Sequence, residues 1–105
     1  MIVSFDKEYL EELYVKGKCN NKKYRFQPDI VKRYRRCIDT LKHVPCIEDL
    51  YPIHSLNYEA LKGDKSGTSS IRVNDKYRIE FTVSEHGTET IVYICNILEL
   101  SNHYK

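Results

Sequence analysis

The sequence predicts an α+β fold, and three observations lead to that prediction. Two stretches in the first half repeat apolar residues at helical spacing, at residues 6–16 and 28–43. Residues 71–83 alternate apolar and polar side chains around a short turn, as β-hairpins do. Residues 90–98 are almost continuously apolar, which is typical of a strand covered on both faces. We therefore expect a sheet with helices on one side.

The length and composition indicate one small globular unit. At 105 residues, we expect residues 1–105 to form a single domain with one core. Hydrophobic residues make up 41% and charged residues 30%, so the chain should fold alone. A net charge of +2 is too small to establish nucleic-acid binding, although 17 Lys and Arg residues can still be concentrated on one side.

The cysteines and the N-terminus indicate the compartment. Residues 1–6 have no basic region followed by a long apolar stretch, and no later segment approaches the length of a membrane span. We therefore expect a cytoplasmic protein with no membrane partner. The four cysteines form no C-x-x-C pair, and two fall at positions that the periodicity predicts to be buried. Free thiols are expected, rather than a zinc site or disulfides.

The chain begins with a short strand and a helix. Residues 2–5 alternate apolar and polar side chains, and Asp6 can cap a helix that runs to Lys16, with Gly17 just past its end. The segment 18–27 is polar and basic. We expect it to be an exposed, mobile connection.

The second helix is the clearest in the sequence, beginning at Pro28 and ending near His43 before Pro45. Its inward side carries Ile30, Val31, Tyr34, Cys37, Ile38 and Leu41. The other side is basic and carries Lys32, Arg33, Arg35 and Arg36. Such a face is most often just solvated. The alternative is that Lys32, Arg33 and Arg36 contact the phosphates of a large RNA.

Residues 46–64 are the least regular part of the chain. One helical turn is predicted at Ile47–Leu50, and Pro52 and a mixed run of residues follow it. A connection of this length in a small domain usually has a function.

The hairpin is the segment around which the candidate site is organised. Its turn, Asn74-Asp75-Lys76, pairs Val73 with Tyr77, so that Arg72 and Arg78 oppose each other on the solvent face. Facing like charges weaken a sheet by up to ~1 kcal/mol. The pair therefore resembles an anion receptor more than an aid to folding, although splayed, solvated arginines are an equally simple interpretation. The apolar residues of the buried face are Ile71, Val73, Tyr77, Ile79, Phe81 and Val83.

The chemistry that these residues support is cleavage of RNA without a metal. No phosphate-binding glycine loop, H-E-x-x-H motif or nucleophile elbow is present, so we expect no cofactor and no metal. An RNA 2′-hydroxyl can attack its own phosphate if a base, cations and an acid are supplied. The cations are Lys62, Arg72 and Arg78, and the other candidates are His54, Glu59, His103, Tyr104 and Lys105. DNA lacks the hydroxyl and would only be bound.

The runs Leu61-Lys62-Gly63-Asp64 and Ser70 to Ile79, with the tail His103-Tyr104-Lys105, resemble the HigB-type toxins of the RelE/ParE superfamily. The resemblance implies a RelE-like small antiparallel β-sheet backed by two N-terminal α-helices. It also implies a toxin of a type II toxin–antitoxin system that cleaves messenger RNA in the 30S decoding site of the ribosome. A helix-turn-helix antitoxin of the HigA type would silence it.

The same resemblance assigns roles to individual residues. Lys62, Arg72 and Arg78 match the residues that hold the scissile phosphate, and Tyr104 matches an aromatic that stacks on the target nucleotide. His103 and Lys105 match assisting tail residues, and Lys65 adds an RNA-binding cation beside Lys62. Several relatives have a His where this chain has Glu59, so Glu59 would be the base. Since a carboxylate is a poor acid at pH 7, His103 or Lys62 would be the acid.

Two other functions are compatible with the sequence. A ParE-like toxin would inhibit DNA gyrase by binding it, and the arginines and the tail would then be contacts. A catalytically degenerate homologue would only bind an antitoxin, which the departure at Glu59 keeps open. Cleaved transcripts distinguish the nuclease from both.

Overall fold

The computed structural model of the protein describes residues 1–102. The helices are α1 (Glu8–Lys16) and α2 (Pro28–His43). The strands are β1 (Ile2–Phe5), β2 (Glu59–Ala60), β3 (Ser69–Arg72), β4 (Arg78–His86) and β5 (Val92–Ser101). Short 3-10 turns lie at Lys22–Tyr24, Ile47–Leu50, His54–Leu56 and Gly63–Lys65.

The five strands form one mixed sheet in the order β1-β5-β4-β3-β2. The predicted α+β fold with two N-terminal helices is confirmed, and β2 to β5 are antiparallel as expected. β1 differs because it pairs with β5 in parallel. A parallel pair needs a long crossover between its strands, and here both helices and three strands lie between β1 and β5.

The helix ends follow from local chemistry. α1 begins two residues after Asp6, because the backbone N–H of Asp6 donates to the carbonyl of Ile97 at 2.8 Å and keeps this residue beside the sheet. The predicted capping role of Asp6 is therefore wrong. Gly17 ends α1 with a positive φ of 74°, where glycine has no steric cost, and donates to the carbonyl of Leu13. α2 has the predicted limits.

The hairpin has the predicted register. Ile71 pairs with Ile79 and Arg72 with Arg78, and the backbone N–H of Val73 donates to the carbonyl of Tyr77 at 2.9 Å. The side chain of Asn74 closes the turn, because its oxygen accepts from the backbone N–H groups of two residues that follow it, at 2.9 and 2.8 Å. This polar side chain replaces backbone partners that the turn cannot supply.

The core lies between the two helices and one face of the sheet. Its fully buried members include Leu10, Leu13, Tyr34, Ile38, Leu41, Ile71, Ile79, Phe81 and Ile97. Tyr34 is the one with a hydroxyl, which donates to the carbonyl of Leu10 at 2.7 Å. Burial raises the pKa of Tyr34 well above its ordinary value, so the hydroxyl stays protonated as the donor. None of the helices within residues 1–102 is long and apolar enough to cross a membrane.

The connection from Lys18 to Gln27 is largely exposed, as predicted, but it is attached to the core. The ring of Tyr24 stacks on that of Tyr9 at a centroid distance of 3.7 Å, and Phe26 packs edge-on against Tyr77 at 5.5 Å. Aromatic pairs of this kind contribute about 0.5–1.5 kcal/mol beyond area burial. The second half of this connection is thereby held against the core, which the sequence did not predict.

The four cysteines are free, as predicted, and their burial predicts their reactivity. Burial raises the pKa of Cys37 to about 11 and that of Cys95 to about 12, so neither thiol supplies thiolate near neutral pH. Cys19 and Cys46 are only half-buried. We expect a disulfide reagent at pH 8 to label Cys19 and Cys46 in the native protein, and Cys37 and Cys95 only after unfolding. Rapid labelling of Cys95 in native protein would contradict the assigned core.

Candidate functional site

The face of the sheet opposite the helices, here called the outer face, carries the polar residues of the hairpin. Because side chains alternate along a strand, Ser70 and Arg72 of β3 and Arg78 and Glu80 of β4 all lie on it. Three of these four are nevertheless buried, since Ser70, Arg78 and Glu80 are 0%, 7% and 4% exposed. This face therefore holds a polar cluster.

Arg78 lies at the centre of this cluster. Its Nε donates to Oγ of Ser70 at 2.9 Å, and its Nη2 donates to the carbonyls of Asn57 at 2.5 Å and Ser70 at 3.2 Å. Asn57 has a left-handed backbone with φ 43°, a conformation that non-glycine residues rarely adopt. The guanidinium group thus joins β3, β4 and the turn that leads into β2.

Glu59 follows that turn and lies on the short edge strand β2. Its backbone pairs with Ser70, and its side chain is 55% exposed. One carboxylate oxygen lies 3.9 Å from Nη2 of Arg78. The carboxylate of Glu59 is therefore open to solvent, whereas the guanidinium group of Arg78 beside it is buried. This is an arrangement that can accept a proton from a bound molecule.

A second ion pair lies beside the first. The ammonium group of Lys65 donates to both carboxylate oxygens of Glu80, at 3.0 and 2.9 Å. Lys65 is half-exposed and Glu80 is almost completely buried, so the lysine compensates a charge that burial would otherwise make costly. Lys65 therefore has a partner within the protein, whereas the sequence predicted a cation that binds RNA.

The predicted pair of solvent-facing arginines is only half correct. Arg72 and Arg78 oppose each other in register, but Arg78 is buried and Arg72 is partly exposed. The guanidinium of Arg72 binds the carboxylate of Asp75 in the hairpin turn, and that of Arg78 has the acceptors described above. The two like charges are stable side by side because each has acceptors of its own.

The other predicted site residues are more dispersed. Lys62 lies on the exposed loop before the 3-10 turn at Gly63–Lys65, and His54 is exposed. On α2, Lys32, Arg33 and Arg36 are all exposed, and Arg33 pairs with Asp29 at 3.4 Å. His103, Tyr104 and Lys105 lie outside the described residues. Within residues 1–102, Glu59 and Arg78 are the predicted site residues that form an ion pair with each other, at 3.9 Å.

Sequence reasoning missed the residues that hold Arg78. Ser70 and Asn57 supply its acceptors, and Glu80 neighbours it on the same face. The signal available in the sequence was that every second residue of β3 and β4 is polar. This pattern resembles an ordinary solvent-facing side of a sheet. In the part of the chain that the structure describes, no three His, Cys, Asp or Glu side chains are grouped so that they could hold a metal ion.

The fold is that of small bacterial toxins. The YoeB/ParE toxin from Agrobacterium tumefaciens superimposes with a TM-score of 0.56 at 20% identity, over 99% of this chain and 100% of that one. The YoeB–YefM complex from Staphylococcus aureus matches with a TM-score of 0.55 at 24% identity, over 99% of this chain and 98% of that one. A comparison with curated protein sequences gives no match.

The family follows from the sequence itself. Residues 3–95 match the family model of HigB-like toxins, described as the RelE-like toxin of the type II toxin–antitoxin system HigB. The chain therefore belongs to the HigB-like toxin family and is the toxin component of a type II toxin–antitoxin system.

Proposed function

We propose that this toxin is a metal-independent endoribonuclease that cleaves messenger RNA in the 30S decoding site of the ribosome. The observation that carries the proposal is the Glu59 carboxylate, which is open to solvent and lies 3.9 Å from the buried guanidinium of Arg78. A base beside a fixed cation is what the attack of a 2′-hydroxyl on a phosphate requires.

The proposed reaction is transesterification within the RNA strand. Glu59 removes the proton of the 2′-hydroxyl, and the 2′-oxygen forms a bond to phosphorus. The bond from phosphorus to the 5′-oxygen breaks, and that oxygen takes a proton from His103 or Lys62. The products are a 2′,3′-cyclic phosphate and a 5′-hydroxyl end.

The other site residues act on the phosphate and the base. Lys62 and Arg72 neutralise the charge that grows on the phosphate, because both side chains reach solvent and Arg72 lies on the outer face. Arg78 supplies a fixed positive potential and maintains the turn that presents Glu59. Tyr104 stacks on the target nucleotide, with Lys105 beside it, and these two roles rest on the family resemblance.

The proposed partners and compartment follow from the type II system. We infer that a helix-turn-helix antitoxin of the HigA type silences the toxin in the cytoplasm, where its ribosomal target lies. The Staphylococcus aureus neighbour was solved with YefM, which is its own partner.

The test is cleavage of a transcript by the purified toxin, with and without ribosomes, in the presence of EDTA. We expect fragments that end in a 2′,3′-cyclic phosphate, formed only on translating ribosomes, and no loss of cleavage with EDTA. Mapping of 5′ ends after induction in cells gives the same information. Growth arrest with intact transcripts would contradict the proposal, and a DNA-damage response in those cells would favour gyrase as the target.

A further inference from the structure

Three concave regions lie between the hairpin turn and the chain segment that precedes β2. The first, of about 590 Å³, lies between α2 and the turn, and the second, of about 350 Å³, lies between α2 and the end of β3. Arg33 and Arg72 line both of them. The third, of about 230 Å³, shares Ile53 with the second and is lined by Asn57, whose carbonyl binds Arg78. Because neighbouring regions share lining residues, they follow one another as a path, and its far end is lined by Asn57, two residues before Glu59.

The charges along this path favour an anion. The middle region contains Arg33, Arg36 and Arg72 and no acidic side chain. The first region adds Arg25 and Lys76, together with two aspartates that pair with Arg33 and Arg72. These aspartates are 69% and 90% exposed, and ion pairs of such exposure are weak. A phosphate, which accepts from arginine with two oxygens at once, can replace them.

The far end of the path offers an aromatic surface. Tyr51 is 53% exposed and borders the third region together with Tyr58, at a centroid distance of 5.0 Å and a tilt of 47°. The hydroxyl of Tyr58 is hydrogen-bonded to Oγ of Ser69 at 2.7 Å, which fixes its ring on the sheet. An exposed ring supported by a fixed one is a surface on which a nucleic-acid base stacks.

We propose that this path, here called the arginine track, binds a single-stranded segment of RNA that continues to Glu59. Arg33, Arg36 and Arg72 bind successive phosphates, and an unstacked base lies on Tyr51. A single-stranded nucleic acid carries both phosphate charges and stackable bases along its length. The arginines can bind the phosphates, and the exposed ring of Tyr51 can bind a base. The inference rests on the proposed function, since it names the path by which the substrate strand reaches the site.

The first experiment measures binding of a short single-stranded RNA that is 2′-O-methylated throughout and cannot be cleaved. Arg36→Ala should weaken binding about tenfold, because a charge-assisted hydrogen bond to a phosphate is lost. Lys16→Ala is the control, since it removes an exposed charge of α1 that lines none of the three regions, and it should change affinity less than about twofold. The slope of log affinity against log salt should fall by about 0.7 for Arg36→Ala only.

The second experiment tests the aromatic end. Tyr51→Ala should weaken binding of the same RNA about tenfold, whereas Tyr51→Phe, which keeps the ring, should bind like the wild type. Asp75→Asn should strengthen binding, because it removes an anion from the track and releases Arg72. The turn is closed by Asn74 rather than by the Asp75 side chain, so the hairpin is retained.

The outcomes separate this inference from the proposed function. Equal loss of binding for Arg36→Ala and Lys16→Ala would overturn the track, even if the toxin cleaves transcripts. Tighter binding of polyglutamate than of RNA of equal charge would also overturn it, in favour of an acidic protein segment. If Arg36→Ala and Tyr51→Ala weaken RNA binding but transcripts stay intact, the arginine track is supported. The proposed nuclease activity is then contradicted.

Discussion

Replacement of Arg78 by Ala is expected to lower the free energy of unfolding by about 3 kcal/mol and to abolish cleavage. The guanidinium donates to three acceptors on Ser70 and Asn57, and two of those bonds are buried. Hydrogen bonds from a charged donor contribute about 1.5–3 kcal/mol, and buried acceptors left without a donor are costly. The turn at Asn57 would also lose its restraint, and Glu59 would lose its defined position.

Arg72 provides the matched control on the opposite strand. It faces Arg78 across the hairpin, but its side chain is 39% exposed and its pair with Asp75 lies at the surface. Arg72→Ala should therefore change the free energy of unfolding by less than about 1 kcal/mol while it still reduces cleavage. Arg78→Lys should be intermediate in stability, because an ammonium group keeps the charge but cannot reach three acceptors at once.

Urea unfolding followed by circular dichroism measures both variants, and transcript cleavage on ribosomes measures their activity. An Arg78→Ala protein as stable as the wild type would show that the polar cluster does not hold the hairpin to the edge strand. Equal stability losses for the two arginines would contradict the assigned difference in burial. Antitoxin binding by the folded variants confirms that the rest of the surface is retained.

The hairpin could be predicted from the sequence because side-chain parity leaves little choice. Ile71, Val73, Tyr77 and Ile79 can share one face only if the turn contains an odd number of residues, and this places Arg72 opposite Arg78. α2 was equally well determined, because Pro28 and its apolar spacing fix both ends. In both elements the information is local.

The burial of the outer face could not be predicted in the same way. Ser70, Arg78 and Glu80 have the parity of a solvent face, and the irregular chain before β3 contributes to covering them. That segment contributes the Asn57 carbonyl and the Lys65 ammonium group, which lie 21 and 15 residues from their partners Arg78 and Glu80. Contacts of this kind leave no periodic signal.

The basic face of α2 shows the same limit at the level of single residues. The sequence grouped Lys32 with Arg33 and Arg36 as RNA-binding cations. In the structure Arg33 and Arg36 border the track, whereas Lys32 does not line any of its three regions. Spacing defines which side of a helix is polar, but the position of the hairpin decides which part of that side forms a groove.

Glu59→Gln is expected to slow cleavage by about 10²–10⁴-fold, because an amide cannot take the proton of the 2′-hydroxyl. Stability should change by less than about 1 kcal/mol, since the side chain is more than half exposed and its contact with Arg78 is 3.9 Å long. The substitution retains size and polarity, so RNA binding should be unchanged. This combination of lost turnover and intact binding distinguishes a base from a phosphate-binding residue.

Asp64→Asn is the matched control, because it removes a carboxylate from the exposed loop that follows Lys62 without touching Arg78. Single-turnover cleavage of a ribosome-bound transcript should be unaffected by Asp64→Asn and should lose most of its rate with Glu59→Gln. If both variants cleave at the wild-type rate, Glu59 is not the base and the proton must pass to another group. If both variants are equally slow, the two carboxylates act through the local potential rather than by proton transfer.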